Sequence, residues 1–400
     1  MLKRAIVLVV DGFGVGAMDD VINSRHQDIG SNTFKNIINA NKKIKIPNLI
    51  KFGIKDYFVE NKFRHINYHG FNISFGRSNL AHLGADSYIG HQEIAGTKPL
   101  IPIREFVREQ KYYIIKELKK HKIEARFKNK MIFIGEDIVI ADNIETDYGL
   151  NINVVGSIDT HKFSYIEQIG KVVRAVVKTG RVITMGGNNV TKDKLANAFE
   201  IKERDGYVAW GINIPKLQIY NENYHVIHMG YGVSPEKQVT QILLKNKYPV
   251  ILIGKTADVI RADGAVYIPE IQTEKVLKNI FKNISNLKKG FIYANIQQTD
   301  LSGHEQKTDR YSFYLELIDN YLPKILSALT LNDLFIITGD HGNDPTIGHS
   351  NHTREKTPII MFSKKIKSHD IGERETLSDI GASISNFFDV DSPESGKSFI

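Results

Sequence analysis

The chain has 400 residues and a formal net charge of +8, with 53 Lys and Arg against 45 Asp and Glu. Its 42% hydrophobic and 24% charged residues exclude a disordered chain, a collagen-like repeat and a coiled-coil rod, and this length suits two domains with a large core. Cysteine is absent, which removes disulfides and thiolate-bound zinc and fits a reducing compartment.

In chain order, Lys3-Arg4 lead into an apolar run, Ala5–Val10, that ends at Asp11. The run is shorter than the ~7–15 residues of a signal-peptide core, and no window reaches the ~20 apolar residues of a membrane helix. A cytoplasmic protein with no membrane partner is expected. Ala5–Val10, Val250–Ile253, Phe291–Ile296 and Leu334–Thr338 are rich in β-branched residues and end at turn or helix signals. They read as strands of a mostly parallel sheet buried on both faces. Between them, Ser234-Pro235 starts a helix expected through about Leu244. Tyr311, Tyr314, Ile318, Tyr321, Ile325 and Leu329 line one face of another, with a kink expected at Pro323. Alternating strands and helices give an α/β fold. From 101 to 220 the pattern changes to lysine-rich helical stretches, a strand pair near Met131–Ala141 and an amphipathic helix near Tyr165–Lys178. The expected organisation is therefore a core of 1–100 and 221–400 with an α+β cap, 101–220, inserted into it.

The positive charge is spread thinly. Lysines cluster only in pairs such as Lys42-Lys43 and Lys119-Lys120, with one Trp and no basic tail. This pattern suits a solvated surface rather than a nucleic-acid interface, and its field favours anionic substrates such as phosphate esters.

Acid, imidazole and hydroxyl groups gather next to the expected strand ends. Asp11 follows the first strand directly. Asp86-Ser87 and His91 lie between glycines. Asp300-Leu301-Ser302-Gly303-His304 follows the strand at Phe291, Asp340-His341-Gly342-Asn343-Asp344 follows the strand at Leu334, and His349 and His352 come shortly after. Ligands of open α/β sheets bind beyond the carboxyl ends of the strands. Carboxylate and imidazole donors suit Mn²⁺, Mg²⁺ or Zn²⁺, and a pair of such ions can clamp both oxygens of an in-line phosphoryl displacement. Ser87 qualifies as the nucleophile, although alone it reads as a helix N-cap, just as a lone strand-end Asp11 reads as a turn residue. An adjacent Asp340-His341 at a buried strand end has little structural excuse.

Nearly the whole chain resembles the phosphopentomutase branch of the alkaline phosphatase superfamily. The resemblance is carried by Val9-Val10-Asp11-Gly12-Phe13-Gly14, Ser31-Asn32-Thr33, Pro47-Asn48-Leu49, Asp86 to Glu93, Ile253-Gly254-Lys255, Asp300 with Gly303-His304, Asp340 to Pro345, His352-Thr353-Arg354-Glu355, Ser378 to Ala382 and Gly396 to Phe399. It implies an alkaline-phosphatase-like core with an inserted cap. One metal would be held by Asp11, Asp340, His341 and the Ser87 oxygen, the second by Asp300, His304 and His352. Ser87 would carry the phosphoryl group, received from an activating sugar bisphosphate. Asp142 and Lys255 would contact a small phosphorylated substrate, with ribose 1-phosphate and ribose 5-phosphate as the implied pair and Mn²⁺ as the implied metal. The chain departs from the family pattern in five places. Ser87 replaces a threonine, and Ile89 replaces a second one. The spacing from Asp300 to His304 is one residue shorter. Arginine is missing from Thr184–Gly187 and from Asn221–His225. The same core also fits a phosphatase or phosphodiesterase, in which water reaches the phosphoserine before a sugar hydroxyl does.

Overall fold

A computed structural model describes residues 2–145, 148–204 and 206–400. Three strands precede the insertion: β1 (Arg4–Val10), β2 (Ile66–Tyr68) and β3 (Phe71–Ser78). Within it come β4 (Arg126–Lys128), β5 (Met131–Ile134), β6 (Ile138–Asp142), β7 (Asn151–Ser157), β8 (Arg181–Gly187), β9 (Phe199–Arg204), β10 (Tyr207–Ile212) and β11 (His225–Gly230). After it come β12 (Val250–Ile253), β13 (Val266–Ile268), β14 (Gly290–Ile296), β15 (Asp333–Thr338), β16 (Thr357–Ser363) and β17 (Asp370–Arg374).

The chain divides into two compact units, 1–99 with 234–400, and 100–233. In the first, the sheet order is β13-β12-β14-β1-β15-β16-β3-β17, with β2 also paired to β3. Strands β12 to β15 run parallel to β1, and β16 turns antiparallel against β15. Every residue of β1, β14 and β15 is buried, so these strands are mostly apolar along both faces rather than alternating, with Asn295 a polar exception inside β14. Alternate side chains of β1 feed two cores. Ile6, Leu8 and Val10 pack with the helix Thr308–Ser327, while Ala5, Val7 and Val9 pack with the helix Ser378–Phe388.

The helix Thr308–Ser327 continues through Pro323. Proline has no N–H for the carbonyl four residues back, and that carbonyl, on Asp319, instead accepts from Asn48 Nδ2 at 3.1 Å. The Asp319 carboxylate in turn caps the short helix Pro47–Lys51 through the amides of Asn48 and Leu49, at 3.2 and 2.7 Å. The helix expected from Ser234 is split. Pro235–Lys237 forms one tight turn, Gln238 is extended, and the helix proper spans Val239–Lys245.

The second unit has its own sheet, β11-β8-β7-β6-β10-β9, with β5 on β6 and β4 on β5. Helices Val107–Lys120 and Phe163–Val176 contribute to one core cluster of this unit, and Leu195, Ile212, Ile214 and Leu217 to another. Residues 221–233, expected in the core, belong here. β11 pairs antiparallel with β8 from His225 opposite Gly186 to Gly230 opposite Arg181, which closes this sheet's edge. No helix among the described residues is long and apolar enough to cross a membrane.

Candidate metal centre and nucleophile helix

Parallel register explains why the acidic segments meet. Val10 lies opposite Ile296 of β14, and Val9 lies opposite Thr338 of β15. Asp11, the helix Gln298–His304 and Asp340 therefore leave the same edge of three neighbouring strands. The fourth element is the helix Ser87–Ile94. Its N-cap is Asp86, with extended backbone and a carboxylate that accepts from the Ile89 amide at 2.9 Å. Ser87 is thus the first helical residue and not the cap, which leaves its hydroxyl available for other work. Gly90 lets this helix close on the metal loop, since a Cβ there would stand 2.6 Å from the Asp340 carbonyl oxygen. Gly12 adopts φ +72, a left-handed turn that brings its amide to Asp340 Oδ1 at 3.1 Å.

Ser87 Oγ donates to Asp340 Oδ2 at 2.5 Å and lies 3.5 Å from Asp11 Oδ1. His341 Nε2 stands 3.4 Å from Asp11 Oδ1 and 3.3 Å from Asp340 Oδ2. On the far side of Asp11, Oδ2 accepts from Lys255 Nζ at 2.8 Å and from Asn295 Nδ2 at 3.0 Å. Burial opposes the charge on Lys255, but Asp11, Asp340 and Asp300 outweigh it and hold the ammonium above the usual lysine range. Beside this cluster, Asp300 faces two imidazoles. His304 Nε2 lies 3.3 Å from Oδ2, and His352 Nε2 lies 3.3 Å from Oδ1. The His352 ring stacks on that of His341 with centroids 3.8 Å apart.

These residues suit divalent cations. Asp11, Asp340 and His341 converge as one possible ligand group, and Asp300, His341 and His352 as another. Each of three imidazoles turns Nδ1 to a backbone carbonyl: His304 to Ser350 at 2.6 Å, His341 to Gly342 at 2.9 Å and His352 to Ala85 at 2.7 Å. A carbonyl only accepts, so Nδ1 carries a hydrogen and Nε2 is the nitrogen turned to the carboxylates, the orientation found behind metal-bound histidines. His304 and His352 face one another Nε2 to Nε2 at 3.0 Å, and the buried His341 Nε2 has no hydrogen-bond partner. Burial opposes charge on His341, yet Asp340, Asp11 and Asp300 push its pKa up to about 10. Carboxylates that draw positive charge to a place where imidazole nitrogens converge are what divalent ions satisfy.

The expected core residues Asp11, Ser87, Asp300, His304, Asp340, His341 and His352 are thus brought together. His341 reaches both ligand groups rather than one. Lys255 sits inside the carboxylate cluster. Asp142 belongs to the other unit, where burial pushes its pKa up to about 6 and its two oxygens accept from the amides of Val107 and Trp210 at 2.8 and 3.0 Å. Those bonds make it a brace of that unit. Met185, where the resemblance implies an arginine, is buried among Met131, Val139 and Val155. Arg174 is committed to the carbonyls of Thr179 and Val177, and Lys171 pairs with Glu167 at 3.0 Å.

The remaining residues of the motif around His352 also brace. Glu355 accepts from Thr33 Oγ1 and Thr353 Oγ1, both at 2.7 Å. Arg354 Nε bonds Asp20 at 2.9 Å, and its other nitrogens reach the carbonyls of Leu80, His82 and Gly84. Sequence reasoning missed Asn295 and gave His91 no role, yet both are fully buried against the acidic cluster. The available signal was an asparagine inside the apolar run Phe291–Ile296, since a polar side chain there must find partners.

Residues 3–392 match the Metalloenzyme superfamily. The chain belongs to that family. It is 28% identical to the phosphopentomutase of Alkaliphilus metalliredigens over 417 aligned positions, covering 100% of this chain and 98% of that one. The phosphopentomutase of Dictyoglomus thermophilum is likewise 28% identical, with the same coverage of 100% and 98%. A solved structure of Leishmania mexicana phosphoglycerate mutase, determined at low cobalt concentration, aligns over 100% of this chain and 97% of that one with a TM-score of 0.50. At 11% identity that last likeness concerns the fold alone. This superfamily chain is an α/β enzyme similar along its whole length to phosphomutases.

Proposed function

We propose that the chain is a metal-dependent phosphomutase that moves a phosphoryl group on a small sugar phosphate through a phosphoserine at Ser87, working in the cytoplasm. Ribose 1-phosphate and ribose 5-phosphate are the substrate pair, in line with the phosphopentomutases it resembles. The observation that carries the reading is the place of Ser87 Oγ, at the start of a helix, 2.5 Å from Asp340 Oδ2 and 3.5 Å from Asp11 Oδ1. In this reading Asp11, Asp340, His341 and Ser87 hold one ion, Asp300, His304 and His352 hold the second, and Mn²⁺ is the metal. Bound there, two divalent ions supply Lewis-acid stabilisation of the attacking and leaving oxygens.

The chain's own residues do the rest. Asp340 Oδ2 takes the hydrogen bond of Ser87 and fixes where its lone pairs point. The Lys255 ammonium balances the carboxylate charge beside it. The start of the Ser87 helix favours a phosphoryl group by its dipole. A sugar bisphosphate primes Ser87, and the phosphoserine returns its group to a sugar hydroxyl. Product analysis after incubating Mn²⁺-loaded protein with a panel of sugar phosphates tests this. An isomerised phosphate supports the mutase, whereas stoichiometric inorganic phosphate assigns the same core to a phosphatase.

A further inference from the structure

His91 is built like the three site histidines and used differently. It lies one turn after Ser87, is fully buried, and its Nδ1 is 2.8 Å from the Ser87 carbonyl and 3.2 Å from Asp340 Oδ2. That Oδ2 is the atom that accepts the Ser87 hydroxyl. Its other nitrogen, Nε2, faces Asn295 Nδ2 at 2.9 Å rather than the carboxylates. Asn295 is buried on β14 and gives its second N–H to Asp11 Oδ2 at 3.0 Å. Rotating the amide would set its carbonyl oxygen against the Asp11 carboxylate, so Asp11 decides which way Asn295 points. The amide hydrogen then faces His91 Nε2, which must accept, and the proton of a neutral ring is left on Nδ1. Asp11, Asn295, His91 and Asp340 form a hydrogen-bonded arc behind Ser87 that joins the two carboxylates flanking its hydroxyl.

We infer that Asn295 locks His91 as the Nδ1–H tautomer, and that His91 so held is a positioning residue for Ser87. It grips the carbonyl of Ser87 and the carboxylate oxygen aimed at the Ser87 hydroxyl together, and so fixes the angle between nucleophile and acceptor. The inference rests on the reading of Ser87 as the phosphoryl acceptor, but part of its test does not. Imidazole ¹⁵N NMR of the intact chain, with His91→Asn used to assign the signal, should show a protonated Nδ1 and a bare Nε2 at position 91. The same spectrum is expected in Ser87→Ala. In turnover, His91→Gln, whose amide reaches toward the place of Nε2, should lower kcat by about 10–100-fold with little change in KM. His91→Asn, which returns an N–H near the place of Nδ1, should recover most of that loss. An Nε2–H tautomer overturns the proposal, as does a His91→Gln variant that turns over like His91→Asn. Full activity in Ser87→Ala would instead remove the phosphoserine reading, with the NMR arm still deciding the tautomer.

Discussion

Replacing Lys255 by methionine keeps the apolar stem of the side chain to within one atom and removes the ammonium bonded to Asp11. At 2.8 Å and an effective dielectric constant of ~20, the Coulomb attraction to Asp11 is about 6 kcal/mol. Part of it is spent on desolvating a lysine whose side chain is 16% exposed, and removing one partner of a buried pair typically costs ~3–5 kcal/mol. Asp340 and Asp300 also lean on the same charge, so the metal-free protein should sit at the upper end of that range. Divalent ions bring their own positive charge to these carboxylates, and the loss should shrink when they bind. Urea unfolding of chelator-treated and Mn²⁺-loaded protein measures both numbers. Lys255→Met should be destabilised by several kcal/mol without metal, and Mn²⁺ should stabilise it more than it stabilises the parent chain. Equal stability of the two chains without metal, and equal stabilisation by Mn²⁺, would refute the view that charge balance holds the cluster together.

Two further outcomes separate structural from chemical roles. Asp86→Ala removes the helix cap and should cost about 1 kcal/mol in thermal or urea unfolding, while the Ser87 hydroxyl stays in place. A cap-sized stability loss on Ser87→Ala with none on Asp86→Ala would reverse the assignment. Burial pushes Glu355 up to about 7, so between its ordinary value of 4.5 and 7 the folded chain binds more protons than the unfolded one. The cost of burying its charge therefore grows as pH rises through that window and levels off above it. Relative to Glu355→Gln, the parent chain should lose about 1 kcal/mol between pH 6 and pH 8. A stability gap that does not move with pH over this range contradicts the buried-carboxylate account.

How far the sequence could be read depended on how each residue is used. The strands β1, β14 and β15 were legible because burial on both faces leaves a mostly apolar run with polar residues just beyond its end. Asp11 and Asp340 were legible for the same reason, being polar groups where such a run stops. The edge strand His225–Gly230 has partly exposed His and Met among its residues and no clear period, so the boundary of the inserted unit was placed at 220 instead of 233. Asp86 and Ser87 are both good N-cap residues, and only the backbone angles distinguish cap from first helical residue. The arc through Asn295 and His91 joins residues 204 positions apart, and no local pattern announces it. The Asp319 carbonyl, which Pro323 cannot reach with an N–H, finds its partner in Asn48 on another element, which a reading of that helix alone could not supply.

The central claim is that Ser87 Oγ carries the phosphoryl group between substrate positions. Mass spectrometry of the Mn²⁺-loaded chain after brief exposure to a sugar bisphosphate tests it most directly. One phosphoryl group should appear on the peptide containing Ser87, be absent from Ser87→Ala, and disappear when ribose 5-phosphate is added, with ribose bisphosphate as the product. Phosphoryl transfer at the parent rate by Ser87→Ala, or a phosphoryl group found on another residue, would contradict the account.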